Sequence, residues 1–246
     1  MRLDDPSAEI ARLALRFRRA NGPVIGLLNR LGGRLEGQLE ALAPEMRARI
    51  EAMTMTALQR GYAVAAAGRH APDLGPRGPM ALAALTGAAG GLGGLPTAIA
   101  ELPVTITVIL HAIRRAAAEE GFDPDAPWVR LEALQVFAAG SPLAQDDGVN
   151  TGFLGARLAV TGPALQRVLA TAAPKLAAAL GQKLMAQAVP VLGAVAGAGL
   201  NAAFLGYYRE VAHIRFGLLR LAEAHGAETV LRGFATAVDA ARIKRA

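Results

Sequence analysis

Apolar positions recur along most of this chain at the three-and-four spacing of a helix. In SAEIARLALRFRRA, Ile10, Leu13, Ala14 and Phe17 fall at i, i+3, i+4 and i+7 behind Ser7, a suitable N-cap. The pattern predicts an amphipathic helix with an arginine-rich outer face, ended by Asn21-Gly22-Pro23. Met46, Ile50, Met53 and Leu58 predict a second helix over about Pro44 to Gly68, and the Gly and Pro density of residues 68 to 79 predicts a loop. From Met80 the apolar pattern runs to Gly121 and predicts one long helix, kinked at Pro103, where an N–H is missing. The β-branched patch Val104 to Ile109 could be read as a strand, but Ala-rich helix formers follow without a break. A short helix is expected from Pro127, with Gly140 past its end, then a polar loop at 141 to 152, then helices to the C-terminus. No alternating pattern joined by hairpin turns occurs. The expected fold is all-α, a compact multi-helix bundle with long Ala/Gly-rich buried helices. We treat residues 1–246 as one domain, with 1–40 as a basic, amphipathic, helical N-terminal extension.

Two stretches carry no charge, Gly78 to Ala100 and Leu184 to Tyr208. Both meet the length of a membrane span, about 20 residues. The first is rich in Gly and Ala, which contribute little transfer energy, and the second holds Gln187, Pro190 and Asn201. Buried helices suit these features better than membrane spans. Gly193, Gly197 and Asn201 recur every four residues and predict a small face for a close helix neighbour.

Charge changes the picture at the ends. Residues 1–79 carry 12 basic against 8 acidic residues, 80–208 carry 7 against 8, and 209–246 carry 7 against 4. Basic ends around a neutral, apolar middle suit an anionic membrane surface, with Arg12, Arg16, Arg18 and Arg19 as its contacts. An ordinary solvated Arg-rich surface would look the same. Nucleic acid is not expected, because the basic residues are not interleaved with aromatics and no recognition module is present. The acidic residues at 4, 5 and 9 break any secretory signal pattern, so the expected location is cytoplasmic, peripheral at the inner face of the membrane.

Candidate chemistry rests on polar groups inside apolar helices. Glu101 is the only charged residue between Arg77 and Arg114, and a buried carboxylate needs a partner. Lys183, His111 and His213 are the candidates, and a structural ion pair is favoured over a functional cluster. Asn201 fits a helix-to-helix hydrogen bond. Glu210 and His213 form a Glu-x-x-His pair on one helix face, but a di-iron bundle needs two such pairs and further carboxylates. With four histidines and no cysteine, no metal site is expected. No nucleophile elbow or kinase set occurs, and the glycines at 87 to 94 lack the Lys-Ser/Thr of a phosphate loop, so no cofactor is expected.

The order of these pieces resembles the EcsC family over about residues 45 to 225. The resemblance is carried by LPTAIAELPVTITVILHAIRRAAAEEGFDP, by LEALQVFAAG and by KLMAQAVPVLGAVAGAGLNAAFLGYYREVAHIRF. Within them stand Glu101 in the first apolar helix, Gly121 at its end, and the series Lys183, Pro190, Gly193, Gly197, Asn201. The resemblance implies an α-helical protein tied in some members to transport and membrane processes, with no established catalytic residues to carry over. Three functions stay open on this reading. One is a non-enzymatic protein at a membrane surface, binding lipid or another hydrophobic ligand and linked to transport proteins. Another is an enzyme acting on a hydrophobic substrate through a polar centre near Glu101 and Lys183. The third is an assembly module without a small-molecule site.

Overall fold

The computed structural model describes residues 5–20, 44–67, 78–92, 95–138, 162–187 and 192–243. Among them are eight helices and no strand: α1 (Ser7–Ala20), α2 (Pro44–Ala67), α3 (Gly78–Leu92), α4 (Leu95–Glu119), α5 (Pro127–Ala138), α6 (Gly162–Gln187), α7 (Leu192–His225) and α8 (Ala227–Ile243). The expected all-α bundle is the fold observed. The expected turn at 21–23, the loop at 141–152, most of that at 68–79, and Pro190 lie outside the described residues.

One expectation fails in an informative way. The single long helix from Met80 to Gly121 is two helices, α3 and α4, packed antiparallel as a hairpin. Thr97 donates its hydroxyl to the Gly90 carbonyl at 2.6 Å across that hairpin. The glycines that weaken helix propensity here also let the two backbones approach, and Pro96, at the start of α4, needs no helical N–H donor. Helix α4 itself continues through Pro103. It ends where Gly121 adopts φ 91°, with Gly121 N–H bonded to the Ala118 carbonyl and Phe122 N–H to that of Ala117, a left-handed helix stop. At α1 the cap differs from expectation: Asp5 accepts both the backbone N–H and the hydroxyl of Ser7.

Two apolar clusters hold the bundle. The larger runs through α2 to α7 around Leu102, Ile106, Ile109, Leu110 and Ile113 of α4, with the Phe137 and Tyr208 rings tilted against each other, centroids 5.0 Å apart. The smaller fixes α1, whose Ile10, Leu13 and Ala14 pack on Ile214, Leu218 and Leu221 of α7 and Val230 and Phe234 of α8. At about 1.5 to 3 kcal/mol for each large side chain buried, this second cluster anchors the N-terminal helix to the body.

Among the described glycines, the tightest helix contact lies between α3 and α7. A Cβ added to Gly87 would lie 2.2 Å from the Gly197 carbonyl oxygen and 2.8 Å from the Asn201 side chain. Gly197 and Asn201 therefore share the close contact that their spacing suggests. Gly193 is in α7, but its packing lies outside the described residues. Gly87→Ala must push two backbones apart and is expected to cost roughly 2 to 4 kcal/mol. Gly206, in the same helix α7, meets nothing within 4 Å, so Gly206→Ala is expected to stabilise by about 0.5 to 1 kcal/mol through helix propensity. Urea unfolding of both variants measures this contrast.

Candidate functional site

The residues singled out in the sequence form two centres rather than one. Glu101, Lys183 and Asn201 come together in the core, whereas His111, Glu210 and His213 line a groove farther along α4 and α7. Ten residues separate Glu101 from His111, about 15 Å along a helix. His111 and His213 are thus not the partners of Glu101.

The buried centre joins four helices. Lys183 of α6 donates to Glu101 Oε2 at 2.7 Å, and Asn201 of α7 donates to Glu101 Oε1 at 2.6 Å. Thr105, one turn after Glu101, bonds its carboxylate and lies 3.3 Å from Lys183 Nζ. Asn201 also reaches Thr86 of α3 at 3.3 Å, while its Oδ1 is buried without a partner among the described residues. Gly90 of α3 makes room for the Glu101 side chain, since a Cβ there would lie 3.0 Å from Oε2. The Lys183 side chain is 0% exposed and that of Glu101 7%. Burial pushes the Lys183 ammonium below its ordinary pKa, and the charge and hydrogen bond of Glu101 oppose that shift. The arrangement is a closed ion pair with its hydrogen bonds supplied by protein, a geometry that locks helices in register.

The groove is built from two rows of side chains at four-residue spacing. Helix α4 supplies His111, Arg115 and Glu119, and α7 supplies Leu205, Arg209 and His213, with Glu210 beside them. Arg16 of α1 and Pro79 of α3 also line this space of about 270 Å³. Arg16 pairs with Glu210 at 2.9 Å, Arg209 approaches the same carboxylate at 3.7 Å, and Arg115 pairs with Glu119 at 2.9 Å. His213 sets Nδ1 3.0 Å from Glu120 and Nε2 3.4 Å from Glu119. Glu120 is also approached by Arg220, which bonds Glu9 of α1, so one ionic chain ties α1 to the end of α4. Burial alone would raise the Glu120 carboxyl, but the hydrogen bond and charge of His213, with the nearby arginines, hold it below the usual range. Among the described residues no group of His, Asp and Glu could hold a metal ion. Of the four arginines expected at a membrane, Arg12 pairs with Glu9 and Arg16 faces the groove, while Arg18 and Arg19 are exposed.

Several members of both centres were not singled out in the sequence. Thr105 stands four residues after Glu101, a spacing that could have signalled it. Arg115 and Glu119 are likewise an i,i+4 pair. Nothing local marks Gly87, Thr86, Arg209 or Glu120, whose roles depend on which helices meet.

A model of the EcsC protein family matches residues 78–221, from the start of α3 through most of α7. The chain belongs to the EcsC family. The match starts later than residue 45, so α1 and α2 lie outside it, and with them Arg16 of the groove. No curated protein and no solved structure matches the chain.

Breaking the buried pair leaves one charge without compensation. Glu101→Gln or Lys183→Met alone is expected to cost about 3 to 5 kcal/mol, and the double variant to recover most of that loss in urea unfolding. A pH effect follows from Glu120. Its folded pKa lies below the unfolded one, so its contribution is present above the ordinary carboxylate pKa and is lost as pH falls through the lowered value. Glu120→Gln is expected to flatten the fall in stability as pH drops below the ordinary carboxylate range of about 4.3, read from denaturation at each pH.

Proposed function

We propose that this EcsC-family protein is a non-enzymatic, peripheral protein of a membrane surface that contacts lipid through the outer face of the α3/α4 hairpin. The observation that carries the reading is the composition of that face. Leu82, Leu85 and Leu92 are 41%, 69% and 62% exposed, and Val104 is 46% exposed. Ala81, Ala89, Pro96 and Ala100 are exposed beside them. The first uncharged run, expected to be buried, is buried on one side only. Among the described residues, the exposed polar side chain of this face, Thr97, gives its hydroxyl to the Gly90 carbonyl, and the charge in the same stretch, Glu101, turns inward. A surface with so few directional groups suits acyl chains and lipid backbones better than a polar partner.

The membrane envisaged is anionic and the protein lies at its cytoplasmic face, where a membrane transport protein would be within reach. Each leucine removed from water adds about 1.5 to 3 kcal/mol, and exposed arginines such as Arg18 and Arg19 add about 1 kcal/mol each near anionic headgroups. One described helix segment, Pro96–Glu119, is apolar and long enough to cross a membrane, and half of its most apolar window is buried in the fold. That burial favours contact over crossing. The alternative, catalysis on a hydrophobic substrate at Glu101 and Lys183, draws no support from the geometry, because the pair is sealed from solvent.

Liposome flotation tests the proposal. The wild-type chain is expected to float with anionic vesicles. Leu85→Glu with Leu92→Glu is expected to abolish flotation while leaving the melting temperature within a few degrees, since both side chains are exposed. Unchanged flotation of that variant would contradict the reading.

A further inference from the structure

We propose that the groove between α1, α4 and α7 is a binding site for a phosphate group. Its space of about 270 Å³ falls below the usual size of sites for drug-like ligands and suits a headgroup or a small phosphate ester. Three guanidinium groups face it, Arg16, Arg115 and Arg209, against the carboxylates of Glu119 and Glu210. Those carboxylates are shared. Glu210 serves Arg16 at 2.9 Å and Arg209 at 3.7 Å, and Glu119 serves Arg115 at 2.9 Å and His213 at 3.4 Å.

Positive charge is therefore in excess, and Arg209 is held only loosely, with its side chain 43% exposed. A guanidinium presents its N–H groups as a planar fork that matches two phosphate oxygens, and guanidinium groups from three helices can engage a phosphate from different sides. A divalent cation would be repelled by the three guanidinium groups. The site stands on the groove alone and does not require that the hairpin touch lipid.

Calorimetric titration of the full chain with inorganic phosphate, against chloride at matched ionic strength, tests the site. Saturable binding specific to phosphate is expected. Arg209→Gln is expected to weaken it about tenfold, the worth of one charge-assisted hydrogen bond. Glu210→Gln is expected to tighten it, because the carboxylate that competes for Arg16 and Arg209 is gone. A merely structural role for these residues would not give opposite signs. Absence of saturable binding, or a change in the same direction for both variants, would overturn the proposal. Vesicles whose lipids end in a phosphate monoester then identify the source. Displacement of inorganic phosphate by them upholds the site and assigns it to a headgroup, while phosphate binding that they do not disturb upholds it and assigns a soluble ester. The Leu85→Glu, Leu92→Glu chain is expected to keep phosphate binding, which separates failure of the groove from failure of the membrane reading.

Discussion

The buried ion pair of Lys183 and Glu101 fixes how four helices of this structure meet. The two groups come from helices that are distant in sequence, and neither can be left in the core alone. Once Glu101 is committed to Lys183, the orientation of α4 about its own axis is settled. Thr105 falls into the same centre one turn on, and Asn201 fixes the position of α7. The glycines follow from this demand. Gly90 lets the Glu101 side chain pass, and Gly87 lets α7 come close enough for Asn201 to reach the carboxylate.

The outside of the hairpin is the complement of its inside. With Glu101 turned inward, the described residues from Gly78 to Ile113 expose mainly Ala, Leu, Val and Pro, with Thr97 beside them. On α4 and α7 the solvent-facing charges gather at the other end, where the two four-spaced rows meet α1. Helices α4 and α7 thus run from an apolar end to an ionic end, with the buried pair behind the apolar face. Helix α1 belongs to the ionic end through Arg16 and Glu9, and its apolar face is fastened by Ile10 and Leu13.

The sequence made the helices legible because their apolar spacing is regular, and it marked Glu101 because a lone charge in an apolar run stands out. Lys183 and Asn201 were visible for the same reason. The break between α3 and α4 was harder to read. Glycines at 90, 91, 93 and 94 permit a turn without requiring one, and no charge or cap marks the boundary. The division into two centres was not legible either. Spacing within one helix cannot say which neighbour a side chain meets, so His111 and His213 looked like partners for Glu101 until the lengths of α4 and α7 set them about 15 Å away. The groove's excess of arginine was hidden because Arg16 and Arg209 are far apart in the chain and converge only through the packing of α1 on α7.

In the α3/α4 hairpin an inward charge goes with an outward apolar face, and the depth of that face in a membrane is the most direct test of its role. The chain has no cysteine, so one introduced at Leu85 or at Leu92 carries a unique nitroxide label. With anionic vesicles present, the label at either position is expected to become accessible to oxygen and shielded from a water-soluble relaxation agent, while a label at exposed Glu228 keeps its aqueous exposure. Labels at Leu85 and Leu92 that stay in water under conditions where the protein floats with the vesicles would contradict the account.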